Sequence, residues 1–177
     1  MARTARLLGA WLATGILLAA PARAEDMSNA QRASAVLKDA SGKEVGRAVF
    51  TATPSGALLD LKLDGVQSGV HALHIHAVGK CEGPDFKSAG PDFNPDQTKH
   101  GIMSPEGPHA GDLPNIHVPP DGKLEVEFLN PVVTISQEAA LLDTDGTSIV
   151  IHANADDYKT DPDGNSGPGI ACGVITR

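Results

Sequence analysis

Hydrophobic and polar residues alternate along much of the chain, with the period of two that a half-buried β-strand requires. The clearest case is the series Leu59, Leu61 and Leu63, which alternates with Asp60 and Lys62. Turn residues separate such runs, and no run has the spacing of a convincing amphipathic helix. The predicted strands cover residues 35–37, 46–53, 59–63, 70–76, 124–128, 132–135, 148–152 and 170–175. About eight short strands predict an all-β, antiparallel sandwich or barrel.

Two long stretches, residues 77–116 and 153–169, do not follow this pattern and are rich in Gly, Pro and Asp. Loops of that length in a compact domain are usually functional or disordered. The first loop carries His100, His109 and Asp112, and the second begins directly after His152, at the end of an apolar strand. Bonds to a metal ion can hold such loops in place where a hydrophobic core cannot.

Histidines are concentrated in the segment that runs from His71 to Asp112. His74 and His76 stand two apart in an apolar run, so on a strand both imidazoles point to the same face. A single histidine more often packs or forms a hydrogen bond. A histidine pair on one strand face, followed by spaced His and Asp on a loop, is typical of a metal site.

The N-terminal residues 1–24 have the pattern of a secretory signal peptide. Arg3 and Arg6 precede an apolar run, and the small residues Ala22 and Ala24 flank a cleavage site after Ala24. The apolar run is too short to span a bilayer comfortably, so no membrane anchor is predicted. Residues 25–177 are then expected to form one domain, exported to the periplasm.

The charge balance is acidic, with 14 Lys+Arg against 22 Asp+Glu over the whole chain. The first 24 residues hold three of the arginines and no acid, so residues 25–177 carry a net charge of −11. Such a chain is a poor candidate for binding nucleic acid or an anionic membrane surface.

The chain has two cysteines, Cys81 and Cys172. In an exported protein they predict an intramolecular disulfide, since that compartment is oxidising. Two metal-binding thiolates are the alternative, although no other soft ligand lies near them in the sequence.

A series of motifs, in family order and over nearly all of residues 25–177, resembles the copper/zinc superoxide dismutases of the exported bacterial type. The motifs are GVHALHIH at 69–76, FKSAG at 86–90, FNP at 93–95, KHG at 99–101, HAGDL at 109–113, HANADDY at 152–158 and ACGVI at 171–175. The resemblance implies an eight-stranded antiparallel Greek-key β-sandwich or barrel with two long loops that carry the metal sites.

The resemblance also implies roles for individual residues. It implies a disulfide between Cys81 and Cys172, and it matches Asp156 to a carboxylate that hydrogen-bonds one histidine of each metal site. His71 matches a structural histidine. The metal ligands that it implies are His74, His76 and His152 for copper, and His100, His109 and Asp112 for zinc. Three imidazoles suit a metal that cycles between Cu(II) and Cu(I), and a mixed His/carboxylate set suits Zn(II).

Two positions depart from the family pattern. Asp92 stands where the family usually has a histidine whose imidazolate bridges copper and zinc; a carboxylate can complete the zinc site and reach towards copper with its second oxygen. Gly169 stands where the family usually has an arginine that guides superoxide. Losing that cation weakens anion capture. Lys159 lies in the same loop, but a solvated surface charge is its more ordinary role.

The function expected from the resemblance is disproportionation of superoxide to dioxygen and hydrogen peroxide by copper redox cycling. The alternative is a dismutase-like copper/zinc-binding protein with little or no dismutase activity, because both departures remove parts specific to catalysis. A third interpretation is a structural relic whose metal only holds the loops. The sequence is compatible with either a monomer or a homodimer.

Overall fold

A computed structural model describes residues 31–135 and 140–177 of the chain. The predicted signal peptide and its cleavage site lie outside the described residues. Nine strands and one 3-10 turn, Lys87–Ala89, are present in the described part. The strands are β1 (Arg32–Asp39), β2 (Glu44–Thr53), β3 (Gly56–Asp64), β4 (Gly69–His71), β5 (Leu73–His76), β6 (Ile116–Val118), β7 (Lys123–Asn130), β8 (Ser148–His152) and β9 (Gly169–Val174).

The strands form a curled seven-stranded sheet in the order β5-β8-β9-β1-β2-β3-β7, and a small sheet of β4 and β6. Every pairing between these strands is antiparallel. Neighbours such as β3 and β7, or β9 and β1, are distant in sequence, as in Greek-key connections. The all-β antiparallel prediction is confirmed, with nine short strands in place of eight.

The alternating leucines of β3 form the centre of the core. Leu59 and Leu61 are fully buried, and Leu59 pairs with Phe50 of β2 and Phe128 of β7. Asp60 and Lys62 alternate with them and point away from the core. The period-two pattern therefore sets which face of β3 packs inward.

The predicted strand 70–76 is divided at Ala72. The Ala72 N–H donates to the carbonyl of Asn154, and its own carbonyl accepts from the N–H of His152. The chain therefore pairs with the end of β8 at this point, while β5 continues with His74 and His76. His71 lies beside this junction, with Nδ1 2.8 Å from the His152 carbonyl and Nε2 2.9 Å from the Gln67 carbonyl.

Two local predictions were wrong. Residues 132–135 form no strand. The Asn130 side-chain oxygen accepts the N–H groups of Val132 and Val133, and these bonds turn the chain. Conversely, the short strand Ile116–Val118 lies at the end of the region predicted as a loop, where it pairs with β4. No helix in the described ranges is long and apolar enough to cross a membrane.

The predicted disulfide is confirmed: Cys81 and Cys172 are bonded, with their Cα atoms 5.6 Å apart and a sequence separation of 91. It ties the start of the first long loop to the buried strand β9. The alternative of metal-binding thiolates is excluded by this bond.

Removing the disulfide is expected to lower the free energy of unfolding by about 3–5 kcal/mol, since the bond closes a long loop in the unfolded chain. The variant is Cys81→Ala with Cys172→Ala, and the measurement is urea unfolding of the metal-free protein. Reductant should bring the unmodified protein to the same stability and leave the variant unchanged. Equal stability of the variant and the oxidised protein would contradict this role.

Candidate metal centre

Strands β5 and β8 bring three histidines together. His74 pairs with Val150 and His76 pairs with Ser148, so both lie beside the strand that ends at His152. Ligand nitrogens of all three histidines lie within 4.8 Å of one another. We call His74, His76 and His152 the three-histidine cluster.

Each histidine of this cluster has one ring nitrogen held by an oxygen. Nδ1 of His76 is 2.8 Å from the Gly90 carbonyl, and Nδ1 of His152 is 2.9 Å from the Gly167 carbonyl. Nε2 of His74 is 2.9 Å from the Asp156 carboxylate. An N–H at these nitrogens leaves the opposite nitrogen of each ring with a lone pair for a metal.

The second group of ligands lies within the first long loop. Nδ1 of His100 lies 3.1 Å from Oδ1 of Asp112 and 3.2 Å from Oδ2 of Asp92. Nδ1 of His109 lies 3.3 Å and 3.5 Å from the same two oxygens. We call Asp92, His100, His109 and Asp112 the mixed cluster.

These separations fit a tetrahedral ion. Bonds of about 2.0–2.1 Å to N and O ligands at tetrahedral angles place neighbouring ligand atoms about 3.3 Å apart. The other carboxylate oxygen of Asp112 already accepts the N–H groups of Gly101 and His109, at 2.8 and 3.0 Å. Those bonds orient its Oδ1 into the cluster.

The atoms that face the two clusters include buried polar atoms that have no hydrogen-bond partner. An unsatisfied buried polar group is costly, so such a concentration requires a missing partner. A cation bound by the lone pairs of these nitrogen and carboxylate oxygen atoms would be that partner. The orphaned atoms at these clusters are His74 Nδ1, Asp92 Oδ2, His100 Nδ1, His109 Nδ1 and Asp112 Oδ1.

Comparison with known proteins decides the family. Residues 44–175 match the family model described as copper/zinc superoxide dismutase. The chain belongs to the copper/zinc superoxide dismutase family. It is 48% identical to "Superoxide dismutase [Cu-Zn] 1" of Aquifex aeolicus over 76% of this chain and 81% of that protein. The metals of this family, copper and zinc, fit the donor atoms of the two clusters; His74 also lies within 4.8 Å of Asp92, His100 and Asp112, and His109 joins the mixed cluster through its contacts with Asp92 and Asp112.

Two relatives carry a more cautious name. "Superoxide dismutase-like protein YojM" of Bacillus subtilis is 48% identical over 105 residues, which are 58% of this chain and 54% of that protein. The crystal structure of a SOD-like protein from Bacillus subtilis superimposes with a TM-score of 0.77 at 39% identity, covering 80% of this chain and 96% of that one. The fold is thus shared with proteins named dismutase and proteins named dismutase-like.

Asp92, the first position that departs from the family pattern, lies between the two clusters. Its Oδ2 faces the mixed cluster, and its Oδ1 is 3.6 Å from Nδ1 of His74 and 3.4 Å from Nε2 of His76. The side chain is only 3% exposed. One carboxylate therefore presents one oxygen to each ligand set, at the place where the family usually has a bridging imidazole.

The second departure, Gly169, is buried at the start of β9, opposite His152. A Cβ there would lie 3.0 Å from Cγ1 of Val150 and 3.1 Å from the carbonyl of Asp85. An arginine at this position would therefore require its neighbours to shift. Lys159 is exposed and forms no side-chain ion pair within the described ranges.

Asp156 links the two clusters from the side opposite Asp92. Its carboxylate accepts from Nε2 of His74 at 2.9 Å and from Nε2 of His100 at 3.1 Å. The Asn115 carboxamide holds Asp156 in place, because it donates to the Asp156 carbonyl and accepts the Asp156 N–H. The role of Asn115 was not predicted from the sequence, because its contact with Asp156 spans 41 residues and has no local sequence pattern.

Asp161 is a further residue that the sequence analysis missed. One carboxylate oxygen accepts the N–H of His100 at 3.0 Å and lies 4.0 Å from Nε2 of His109. The other oxygen pairs with Lys99 at 3.1 Å. Asp161 thus connects the second long loop to the mixed cluster. His117 is exposed on β6 and belongs to neither cluster.

The histidines of the two clusters have opposite proton affinities. Burial, with the neighbouring charge of His74, lowers the pKa of His152 to about 4, and burial lowers that of His76. For His100 burial acts in the same direction but is outweighed by the facing carboxylates of Asp112, Asp156 and Asp92, which raise its pKa to about 12. The first pair is neutral at pH 7, and metal-free His100 is a cation.

Zinc binding to the metal-free protein is therefore expected to release at least one proton at pH 7. The raised pKa of His100 keeps its proton bound in the folded, metal-free state from below pH 6.5 up to about pH 12. A metal must displace that proton, so affinity should rise about tenfold per pH unit for each proton released. Calorimetry in buffers of different ionisation enthalpy measures the release. An affinity that is constant between pH 6.5 and 8 would contradict this protonation state.

Proposed function

We propose that this chain is an exported copper/zinc superoxide dismutase. In this proposal the three-histidine cluster holds copper, and the mixed cluster holds zinc. The observation that carries the proposal is the pair of adjacent clusters with orphaned ligand atoms. Their donor sets suit a redox-active metal and a redox-silent metal respectively.

Bound copper supplies one-electron chemistry, by which two superoxide anions and two protons become one dioxygen and one hydrogen peroxide. The protein's part is to orient and expose the ligands. All three histidines of the cluster are buried, but His76 and His152 keep 9% and 6% of their surface exposed, whereas His74 keeps none. Superoxide therefore approaches on the side of His76 and His152, and Asp156 and two backbone carbonyls keep the rings oriented.

Asp92 changes how protons are supplied. Burial acts to raise its pKa, but the facing imidazoles of His100 and His109 outweigh burial and hold the pKa well below its usual range. The carboxylate therefore carries no proton at pH 7 and does not deliver one as a bridging imidazole would. We infer that solvent supplies both protons. With both metals bound, Asp92 would offer Oδ1 to the copper and Oδ2 to the zinc.

Export is part of the proposal. Residues 1–24 have the signal-peptide pattern. The Cys81–Cys172 disulfide suits an oxidising compartment such as the periplasm. The homodimer is also a proposal; exposed Leu129 and Val132 offer apolar surface for it. Sedimentation of the loaded protein and mass analysis of protein from the cell envelope test these two points.

A second candidate function is copper and zinc binding with little turnover. It is favoured by Asp92 and Gly169, which lack the proton and the cation that the usual family residues provide. Both substitutions leave the two ligand clusters in place. In this case the protein would store or buffer the metals in the periplasm.

The deciding experiment is superoxide dismutation per bound copper, measured by pulse radiolysis on protein loaded with both metals. The zinc-only protein gives the baseline, and Asp92→His gives the family's usual bridging residue. Turnover in the unmodified protein that is proportional to bound copper supports the enzyme. Stoichiometric copper without turnover, restored by Asp92→His, would support the binding function instead.

A further inference from the structure

The mixed cluster is closed on most sides. The side chains of His100 and Asp112 are fully buried, whereas those of Asp92 and His109 are 3% and 6% exposed. These last two line the same cleft, which has a volume of about 610 Å³. A cation that reaches the cluster from solvent meets Asp92 and His109 first, so this cleft is the direct route to the mixed cluster.

The rim of this cleft is acidic. Asp143, Asp145 and Asp161 line it, and Lys99 is the one lysine or arginine among its lining residues. Lys99 is paired with Asp161, with Nζ 3.1 Å from Oδ2. Asp143 and Asp145 are exposed, and their carboxylates form no ion pair with any residue of 31–135 or 140–177. With Asp92 included, four carboxylates and the Lys99 ammonium leave a formal charge of −3 when His109 is neutral and −2 when it is protonated.

We propose that this cleft is a cation-loading channel, in which Asp143 and Asp145 draw a divalent metal ion towards Asp92 and His109. The inference rests on the assignment of zinc to the mixed cluster. Charges of one sign in a cleft raise the local concentration of the opposite ion and can increase association rates by about 10- to 1000-fold. Asp143 and Asp145 contribute to the rate of capture and do not bind the metal in its final site.

The position of the two carboxylates supports this separation of roles. Both stand in the turn that precedes β8, and the Asp145 carbonyl accepts the N–H of Gly79. The turn is thereby attached to the loop that follows β5, so its charges stay at the mouth of the cleft. Neither carboxylate has a ligand contact with the mixed cluster.

The test is the rate at which Co²⁺, whose visible absorption reports a tetrahedral site, binds to the metal-free full chain in a stopped-flow instrument. The variant is Asp143→Asn with Asp145→Asn. The control is Glu125→Gln with Glu127→Gln on β7, which removes the same charge from an exposed strand away from the cleft. Rates are compared at about 10 mM and about 500 mM salt, since screening removes steering between exposed charges.

The expected result is association about three- to tenfold slower in the Asp143/Asp145 variant at low salt, with an unchanged dissociation rate. The difference should disappear at high salt, and the control should remain within about 1.5-fold of the unmodified protein. Equal slowing in variant and control would overturn the proposal, because net charge alone would then explain it. A faster dissociation rate would also overturn it, because the two carboxylates would then be ligands. Absence of Co²⁺ binding to the unmodified protein would refute the zinc assignment itself.

Discussion

Replacement of His152 by alanine is expected to reduce superoxide turnover by more than about 100-fold while the protein keeps its zinc. His152 supplies one of the three imidazoles of the three-histidine cluster and has no ion-pair contact with the mixed cluster. Loss of an outer hydrogen-bond partner already costs about 10- to 100-fold in metal affinity or activity, so loss of a ligand costs more. Turnover and metal content per chain are the two measurements.

His117→Ala is the matched control, because this histidine is exposed on β6 and contacts neither cluster. It should leave turnover and both metals unchanged. Thermal unfolding of the zinc-loaded proteins checks that the cavity left by His152 has not unfolded β8. If His152→Ala retained copper-dependent turnover, copper would have to be held by other residues.

Replacement of Asp156 by asparagine is expected to weaken binding at both clusters by about 10- to 100-fold. The carboxylate accepts from His74 on one side and from His100 on the other. The pKa of Asp156 lies well below its usual range, because its hydrogen bonds to His100 and His74 outweigh burial, so it is fully ionised at pH 7. An uncharged amide with one acceptor oxygen cannot orient both rings.

Copper and zinc affinities, each measured by competition with a chelator, report this loss. Asp157→Asn is the control, since it changes the same charge at the next residue, which is exposed and faces the backbone of Lys159 and Thr160. A loss at one cluster only would show that Asp156 does not connect the two sites. A loss in the control as large as in Asp156→Asn would point to the loop as a whole.

The sequence predicted the parts of the fold that depend on local pattern. Ser148–His152 was predicted with the observed bounds, and the alternation at Leu59, Leu61 and Leu63 correctly indicated the buried face of β3. Prediction from the local pattern failed where a residue distant in sequence, or a side chain, determines the backbone conformation. Residues 132–135 have the composition of a strand, but Asn130 turns the chain at their start.

The candidate site divides in the same way. The pair His74 and His76 could be placed on one face from spacing alone, and the loop ligands came from resemblance to the family. The orientation of Asp92, with one oxygen towards each cluster, depends on how the loop folds over β5 and has no signal in the sequence. Asn115 and Asp161 likewise act through contacts across 41 and 61 residues.

The assignment of copper to the three-histidine cluster and zinc to the mixed cluster underlies the functional proposals. Anomalous diffraction from a crystal loaded with both metals, recorded at the copper and zinc absorption edges, tests it most directly. We expect one copper peak bounded by His74, His76 and His152, and one zinc peak bounded by the mixed cluster, with the Asp92 carboxylate between them. Zinc in the three-histidine cluster, or no metal there, would contradict it.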